Sequence, residues 1–403
     1  MSSSSTQPSN LTPRYSCIQF FFWIVFVTLA NFASVFLLNT GFTNTQIGII
    51  IALAGVVSAL LQPTVASYAD KNSSPSLKKI CIFISLIALV LSAFLLFYTR
   101  SLLCTGIFYG SCFVLIQLLT PMVNSLGMES LNQGKKLNFG IGRGMGSLSA
   151  AVIASTLGIL VDRFGIRTIP VSISIGLLLF LFSLWIFPFR KVPKERQQNL
   201  TAAEKAPGSG ALYFFRKYKK FTIVLLGSIL VYVSHVLINS FAYQVIVEKG
   251  GSSTDMGIAM ALAAIIELPT MFLFGYMQKK IRCDIWFRSC GIFFALKTLF
   301  SLLAPNMTVY YIIQVFQAFG WALISVSSVY YVNSIMEPQD VIKGQAYFTM
   351  TYTIGTVLGA LLGGWLIDLA GVSAMLIFGT AAASIGAVLM LFATEKPAEA
   401  ASK

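Results

Sequence analysis

Two residues of opposite charge stand in apolar surroundings in the second half of the chain: Glu267 in Ala-Ile-Ile-Glu-Leu-Pro and Lys297 in Ala-Leu-Lys-Thr-Leu-Phe. An ionised side chain inside an apolar span is costly unless it faces a wet or paired interior, so each is a functional hypothesis by default. Of the fourteen acidic residues, Glu267 alone lies well inside an apolar run. It reads either as a packing carboxylate with satisfied hydrogen bonds or as one that accepts a proton or binds a polar ligand. Arg143 lies a turn or two inside Asn-Phe-Gly-Ile-Gly-Arg-Gly-Met-Gly-Ser. Its fork of donors suits a carboxylate or hydroxyl, and its small neighbours let a ligand or helix approach closely. The plainer alternative is a loop arginine whose head snorkels to water. His235 is the only histidine, either a proton carrier or a neutral hydrogen-bonding group. Asn31, Asn239, Gln317 and Asn333 are amides that line a polar cavity or join helices to one another.

The elements that must hold these groups are apolar almost throughout. The chain has 403 residues, of which 56% are hydrophobic and 10% charged, with a mean hydropathy of +0.80. Soluble domains carry roughly 25% charged residues, and a run of about 20 apolar residues crosses a bilayer as a helix. Such runs fall near 16–38, 45–68, 80–98, 102–126, 138–161 and 169–189, then near 221–247, 254–277, 285–304, 309–335, 344–367 and 372–393. The short alternating segments of an outer-membrane barrel are not the pattern here. The expected fold is an all-α membrane protein of twelve transmembrane helices. Its expected parts are a six-helix half over 1–189, a cytoplasmic linker over 190–220 containing Pro193, Pro207 and Gly208, and a second half over 221–403.

The net charge of +14 does not point to nucleic acid, because the basic residues sit in short loops between apolar runs instead of on one soluble face. Their distribution sets the orientation. With both termini cytoplasmic, the inner loops hold 22 of the 28 Lys and Arg residues and the outer loops 4. The polar, Ser-rich start from Met1 to Arg14 has no cleavable signal pattern, so the first run is expected to remain as a helix. Six cysteines show no metal-ligand spacing and read as packing residues. One histidine cannot complete a metal site with them, no nucleotide-binding G-x-x-x-x-G-K-[ST] loop occurs, and no nucleophile has a base at usable spacing. No cofactor, metal or enzymatic activity is expected.

The halves resemble each other. Gly48-Ile49-Ile50-Ile51-Ala52-Leu53-Ala54 matches Gly257-Ile258-Ala259-Met260-Ala261-Leu262-Ala263 at an offset of 209, and Gly158, Asp162 and Gly165 match Gly364, Asp368 and Gly371 at an offset of 206. Internal repeats of this kind mark transporters that bind their solute at the midplane between halves. The segment after the second run reads Ala66-Ser67-Tyr68-Ala69-Asp70-Lys71, followed by Lys78-Lys79. It resembles the G-x-x-x-D-R/K loop of the major facilitator superfamily, with alanine in place of the first glycine. The second-half counterpart, Gly275-Tyr276-Met277-Gln278-Lys279-Lys280, keeps the glycine and lacks the aspartate. The resemblance implies a cytoplasmic gating role for Asp70, Lys71, Lys78 and Lys79.

Within that superfamily the chain is most similar to the branch of the oligosaccharide-proton symporters, which includes the lactose permease-like proteins, and the phenylpropionate permeases. Phe139-Gly140 with Arg143 and Gly146 resembles that branch's sugar-binding arginine segment; Glu267 and Lys297 stand where it has a binding glutamate and a span-nine arginine. Ala150 replaces the branch's stacking tryptophan, and Gln317 and Gly320 replace its proton-coupling histidine and glutamate. The resemblance implies a shared cavity with substrate binding by Arg143 and Glu267; Asn31, Asn239 and Gln317 are expected to join them as cavity amides, and Glu267 with Lys297 or His235 is expected to couple protonation. The expected function is proton-coupled symport of a sugar or related small solute in the inner membrane. Alternatives are aromatic-acid uptake, proton-coupled export of amphipathic compounds, which 33 Phe and 13 Met would suit, and a non-transporting membrane sensor or scaffold. The expected partners are the solute, protons and the lipid bilayer.

Overall fold

A computed structural model describes residues 10–70, 75–97, 101–189, 211–337 and 340–396, apart from the side chains of Asp70, Phe97, Asn132, Ala211 and Ile342. Lys71 and residues 190–210 of the expected linker lie outside the described residues. The helices are α1 (Thr12–Asn31), α2 (Ala33–Asn39), α3 (Asn44–Asp70), α4 (Leu77–Phe97), α5 (Leu102–Asn132), α6 (Phe139–Phe164) and α7 (Thr168–Ile186). After the short α8 (Ala211–Lys217) come α9 (Lys219–Ser240), α10 (Ala242–Glu248), α11 (Ser253–Lys280), α12 (Cys283–Leu303) and α13 (Met307–Ile313). A π-helical turn (Ala318–Ala322), α14 (Leu323–Ile335) and α15 (Val341–Ala393) complete the order.

Among the described residues, eleven helical stretches are long and apolar enough to cross a membrane. The last is two helices joined at Gly371, whose φ of 85° and ψ of 174° break the helical path, so the spans number twelve. Glycine adopts such a positive φ without the steric cost of a side chain. The same conformation recurs at Gly165, with φ 84° and ψ 176° at the end of α6. These two glycines are related by the 206-residue offset of the sequence repeat. Phe32 between α1 and α2 and Phe241 between α9 and α10 likewise interrupt their helices at positions 209 apart. Shared backbone breaks at repeat-related positions extend the similarity from sequence to conformation.

The described residues form two compact units, one within 1–42 and 53–194, the other within 43–52 and 195–403. In the first, α1 packs on α5, α6 and α7, and α4 packs on α5 and α7. In the second, α9 runs along α15, and α12 packs on α9, α14 and α15. The aromatic core of this second unit includes Phe221, Phe287 and Tyr331, the last two stacked with centroids 4.5 Å apart.

Residues 43–52 precede the expected boundary at 189, yet they pack with the second unit, for two local reasons. The Asp368 carboxylate accepts hydrogen bonds from the backbone N–H groups of Asn44 (3.1 Å) and Thr45 (2.7 Å) and from Asn44 Nδ2 (2.8 Å). It therefore caps the donor-rich start of α3. Below the cap, small residues bring backbones together: a Cβ at Gly364 would lie 2.1 Å from the Asn44 carbonyl oxygen, and one at Gly48 would lie 2.2 Å from that of Ala360.

The short α8, within the expected linker, is held by charge. Lys217 Nζ lies 2.8 Å from both Asp340 Oδ2 and Glu337 Oε2, and the Tyr218 hydroxyl donates to Asp340 Oδ2 at 3.0 Å. The Lys217 ammonium holds the Asp340 carboxyl below its ordinary range.

Gly364→Ala is expected to lower the thermal unfolding temperature of the purified protein, because the obstructing atom is backbone and cannot rotate away; overpacking of this kind costs about 1–3 kcal/mol. Gly275→Ala, where an added Cβ meets nothing within 4 Å, should leave the temperature unchanged or slightly raised. Equal behaviour of the two variants in differential scanning fluorimetry would contradict the close-contact account.

Candidate functional site

The first unit's polar cluster starts from a row on α1. Tyr15, Gln19 and Trp23 recur every four residues and therefore share one helix face. Gln19 is fully buried and its amide is committed in both directions. Nε2 donates to the Tyr15 hydroxyl (2.7 Å) and to Asn124 Oδ1 on α5 (3.1 Å), while Oε1 accepts from Trp23 Nε1 (3.0 Å). The indole thus has a fixed orientation, and Arg143 of α6 uses it: the guanidinium carbon sits 4.4 Å from the ring centroid. Such a cation over an indole face is an electrostatic attraction that strengthens as water is removed. The glycines of α6 make the room. A Cβ at Gly142 would come within 2.3 Å of Tyr15 Cδ1, and one at Gly146 within 2.6 Å of Trp23 Cδ1.

The second unit's cluster joins three helical segments. Lys297 on α12 is 4% exposed, and Gln317 between α13 and the π-helical turn is 5% exposed. Lys297 Nζ donates to Gln317 Oε1 at 2.5 Å, and Gln317 Nε2 donates to Glu267 Oε1 of α11 at 2.8 Å. The amide is oriented by the charges on either side, its oxygen to the ammonium and its nitrogen to the carboxylate. Ammonium and carboxylate are thereby linked through a dipole without touching. Two helix irregularities adjoin the cluster: Pro269, two residues after Glu267 inside α11, and the π-helical turn starting directly after Gln317. Such turns are frequent at functional sites.

His235 on α9 lies flat against Trp321, with centroids 4.5 Å apart and planes 3° from parallel, and Phe294 meets its edge. Asn239, one turn on, donates to the His235 carbonyl at 2.7 Å and lies 3.1 Å from its Nδ1.

The structure therefore brings Glu267, Gln317 and Lys297 into one chain of hydrogen bonds and pairs His235 with Asn239, while Arg143 sits in the first unit's cluster. Asn31 ends α1 half-buried, and Asn333 is exposed on α14. Of the loop expected to gate, Lys78 donates to the carbonyls of Trp185 (2.9 Å) and Phe187 (2.7 Å), binding the end of α7 to the start of α4. That is a packing role of the kind cations take at helix C-termini. Lys79 is exposed, Asp70 ends α3 with its side chain outside the description, and Lys71 is outside it altogether. The sequence reading passed over Tyr15, Gln19, Trp23, Asn124 and Trp321. The four-residue spacing of the first three, with a glutamine inside an apolar run, was the available signal.

Among the described residues, twelve apolar spans with internally repeated backbone breaks and a buried polar cluster in each unit define a multi-pass membrane protein with the architecture of major facilitator transporters. The chain belongs to the MFS_1 like family, whose model matches residues 13–378. No curated protein matches it in sequence. Among solved structures it is similar to the nucleoside transporter NupG, with a TM-score of 0.77 and 14% identity over 96% of this chain and 98% of that one. It is also similar to an auto inhibited POT family peptide transporter (TM-score 0.74, 11% identity, 97% and 98% covered). A bacterial homologue of the human lysosomal transporter Spinster, inward-facing and unoccupied, gives a TM-score of 0.70 at 15% identity, with 96% and 98% covered. At these identities the likeness is one of fold.

Gln19→Leu should destabilise the folded protein, since it unpairs the Trp23 indole N–H and the Asn124 amide; a buried group left without its partner costs about 1–3 kcal/mol. Adding Trp23→Phe should recover part of the loss by removing one orphaned donor. Additive losses in a thermal double-mutant cycle would mean that the two residues are not coupled.

Proposed function

We propose that the chain is a secondary active transporter, a proton-coupled symporter of a sugar or related small polar solute working by alternating access. It would belong to the oligosaccharide-proton symporter and phenylpropionate permease branch. It lies in the inner membrane with both termini cytoplasmic, the orientation supported by the 22 to 4 distribution of basic residues. Residues 1–189 and 221–403 are its two pseudo-symmetric halves, and the Asp70–Lys71 loop gates its cytoplasmic end.

The observation that carries the reading is the Lys297–Gln317–Glu267 chain. A buried ammonium is tolerable while an anion answers it, and here the answer passes through a single amide. When Glu267 takes a proton, its charge disappears and Lys297 loses its counter-ion. The cluster must then rearrange, with the π-helical turn as the place where α13 and α14 can adjust. Protonation thus becomes a conformational event at a polar site within the spans. Arg143 and Asn239 supply donors for the solute's oxygen atoms. The fold neighbours include a protein named as a nucleoside transporter, so nucleosides belong beside sugars among the solutes to be tested.

Glu267→Gln should abolish accumulation of solute against its gradient in proteoliposomes under an imposed pH gradient, while equilibrium exchange persists. The amide can hydrogen-bond but cannot exchange a proton. Undiminished proton-driven accumulation by the variant would end this assignment of the coupling group.

A further inference from the structure

Because the chain repeats itself, a corner of one unit can be compared with its counterpart in the other. In each unit a short helix, α2 or α10, is followed two residues on by a glycine of positive φ, Gly41 at 103° and Gly250 at 78°. These glycines are 209 residues apart. The second unit's corner is tied across by side chains. Ser373 Oγ donates to Glu248 Oε1 at 3.0 Å, and Lys249 Nζ donates to the carbonyl of Ala304, which caps the end of α12, at 2.8 Å. By the repeat offsets of 209 and 206, Glu248, Lys249 and Ser373 correspond to Asn39, Thr40 and Arg167 of the first unit.

The first unit's residues do not reach across in that way. Asn39 Nδ2 donates to the Val35 carbonyl at 2.8 Å and Thr40 Oγ1 to that of Leu37 at 2.9 Å, so both side chains turn back onto their own helix. Arg167, directly before α7, makes no side-chain hydrogen bond or ion pair among the described residues. What lies between them is a cavity of about 260 Å³, with Asn39, Thr40 and Arg167 as its polar lining and Phe36, Leu95 and Pro170 as its apolar lining. Pockets that enclose a drug-sized ligand run from about 300 to 1,000 Å³. This one holds a compact polar group and leaves anything longer outside.

Its surroundings say what the longer part is. The 19 residues of α7 rise about 28 Å, close to the thickness of the hydrocarbon core, so Arg167 at its start stands at the level of lipid phosphates. Beside it in sequence, Phe164 is 71% exposed and Val171 is 40% exposed. Apolar side chains exposed at this depth face acyl chains. A guanidinium matches a phosphate in two-point contact, and the Asn39 Oδ1 and Thr40 Oγ1 lone pairs accept from a headgroup hydroxyl. Basic pockets between spans take phospholipid headgroups on this chemistry.

We infer that this corner of the first unit is a phospholipid headgroup site: Arg167 takes the phosphate ester, Asn39 and Thr40 take a headgroup hydroxyl, and the acyl chains lie outside along α7. The second unit has closed the same corner with its own side chains. Only the assignment to the outer leaflet rests on the proposed orientation, and the site does not depend on what the protein transports.

Purified full-length protein labelled with a short-chain phosphatidylglycerol that carries a photoreactive group beside its phosphate tests this, the cross-linked peptides being mapped by mass spectrometry. In the wild type the label should fall on the ends of α2 and α4 or on the start of α7. Dioctanoyl phosphatidylglycerol should compete it away. Dioctanoylglycerol, which lacks the phosphate, and glycerol 3-phosphate, which lacks the chains, should each need at least ten-fold higher concentration. Asn39→Glu combined with Arg167→Ser rebuilds the second unit's pair and should cut labelling of the corner five-fold or more; Arg167→Gln should weaken it in the same direction. Wild-type labelling that spares the corner overturns the proposal, as does corner labelling undiminished in Arg167→Gln. Equal competition by glycerol 3-phosphate would make the ligand a soluble phosphate ester and overturn the lipid assignment. If the double variant fails to fold, the wild-type map and Arg167→Gln decide.

Discussion

A charge within a bilayer has no water to answer it, and the arrangement of this protein's interior follows from that constraint. Lys297 is almost completely enclosed, so something must face its ammonium. The protein supplies a dipole first, the Gln317 oxygen, and a charge second, the Glu267 carboxylate. A direct ion pair would hold two helices together and resist change. An amide between the charges transmits their attraction without binding them directly to each other, which is the property the proposed coupling requires. The irregular backbone beside it, a π-helical turn after Gln317 and a proline after Glu267, lies where the charges meet.

Around these clusters the frame is closely packed. Glycines set backbone against backbone at Gly364 and Gly48, the Asp368 carboxylate fixes the start of α3, and rings fill the second unit's core. Without apolar burial to drive helices together in lipid, close packing and satisfied polar groups carry this work. The first unit applies the same logic to a cation. Arg143 rests on an indole whose own N–H is pinned by Gln19, so neutral groups set its position.

Much of the fold could be read from composition alone, because spans are a matter of length and apolarity. The breaks inside them could not. The expected run at 16–38 is divided at Phe32, and that at 309–335 contains the π-helical turn; neither break ends the apolar run around it, so neither shows as a boundary in hydropathy. Gly371, by contrast, stood out through its repeat partner Gly165, and both adopt the same conformation. Glu267, Lys297 and Arg143 were visible because charge in an apolar run is rare. Tyr15, Gln19, Trp23 and Trp321 were not, since aromatic residues are common throughout the chain and their role depends on the direction in which each helix face points. Packing also groups residues 43–52 with the second compact unit, which chain order alone does not reveal.

The central claim is that Glu267 is the group whose protonation changes the second unit's cluster. Infrared difference spectroscopy of the purified protein between neutral and acidic pH addresses it directly, comparing wild type with Glu267→Gln. The account predicts a protonated-carboxyl band that grows on acidification in the wild type and is missing from the variant, with a change in amide absorption from Gln317 that disappears with it. Identical difference spectra for the two proteins would mean that Glu267 does not titrate and would contradict the account.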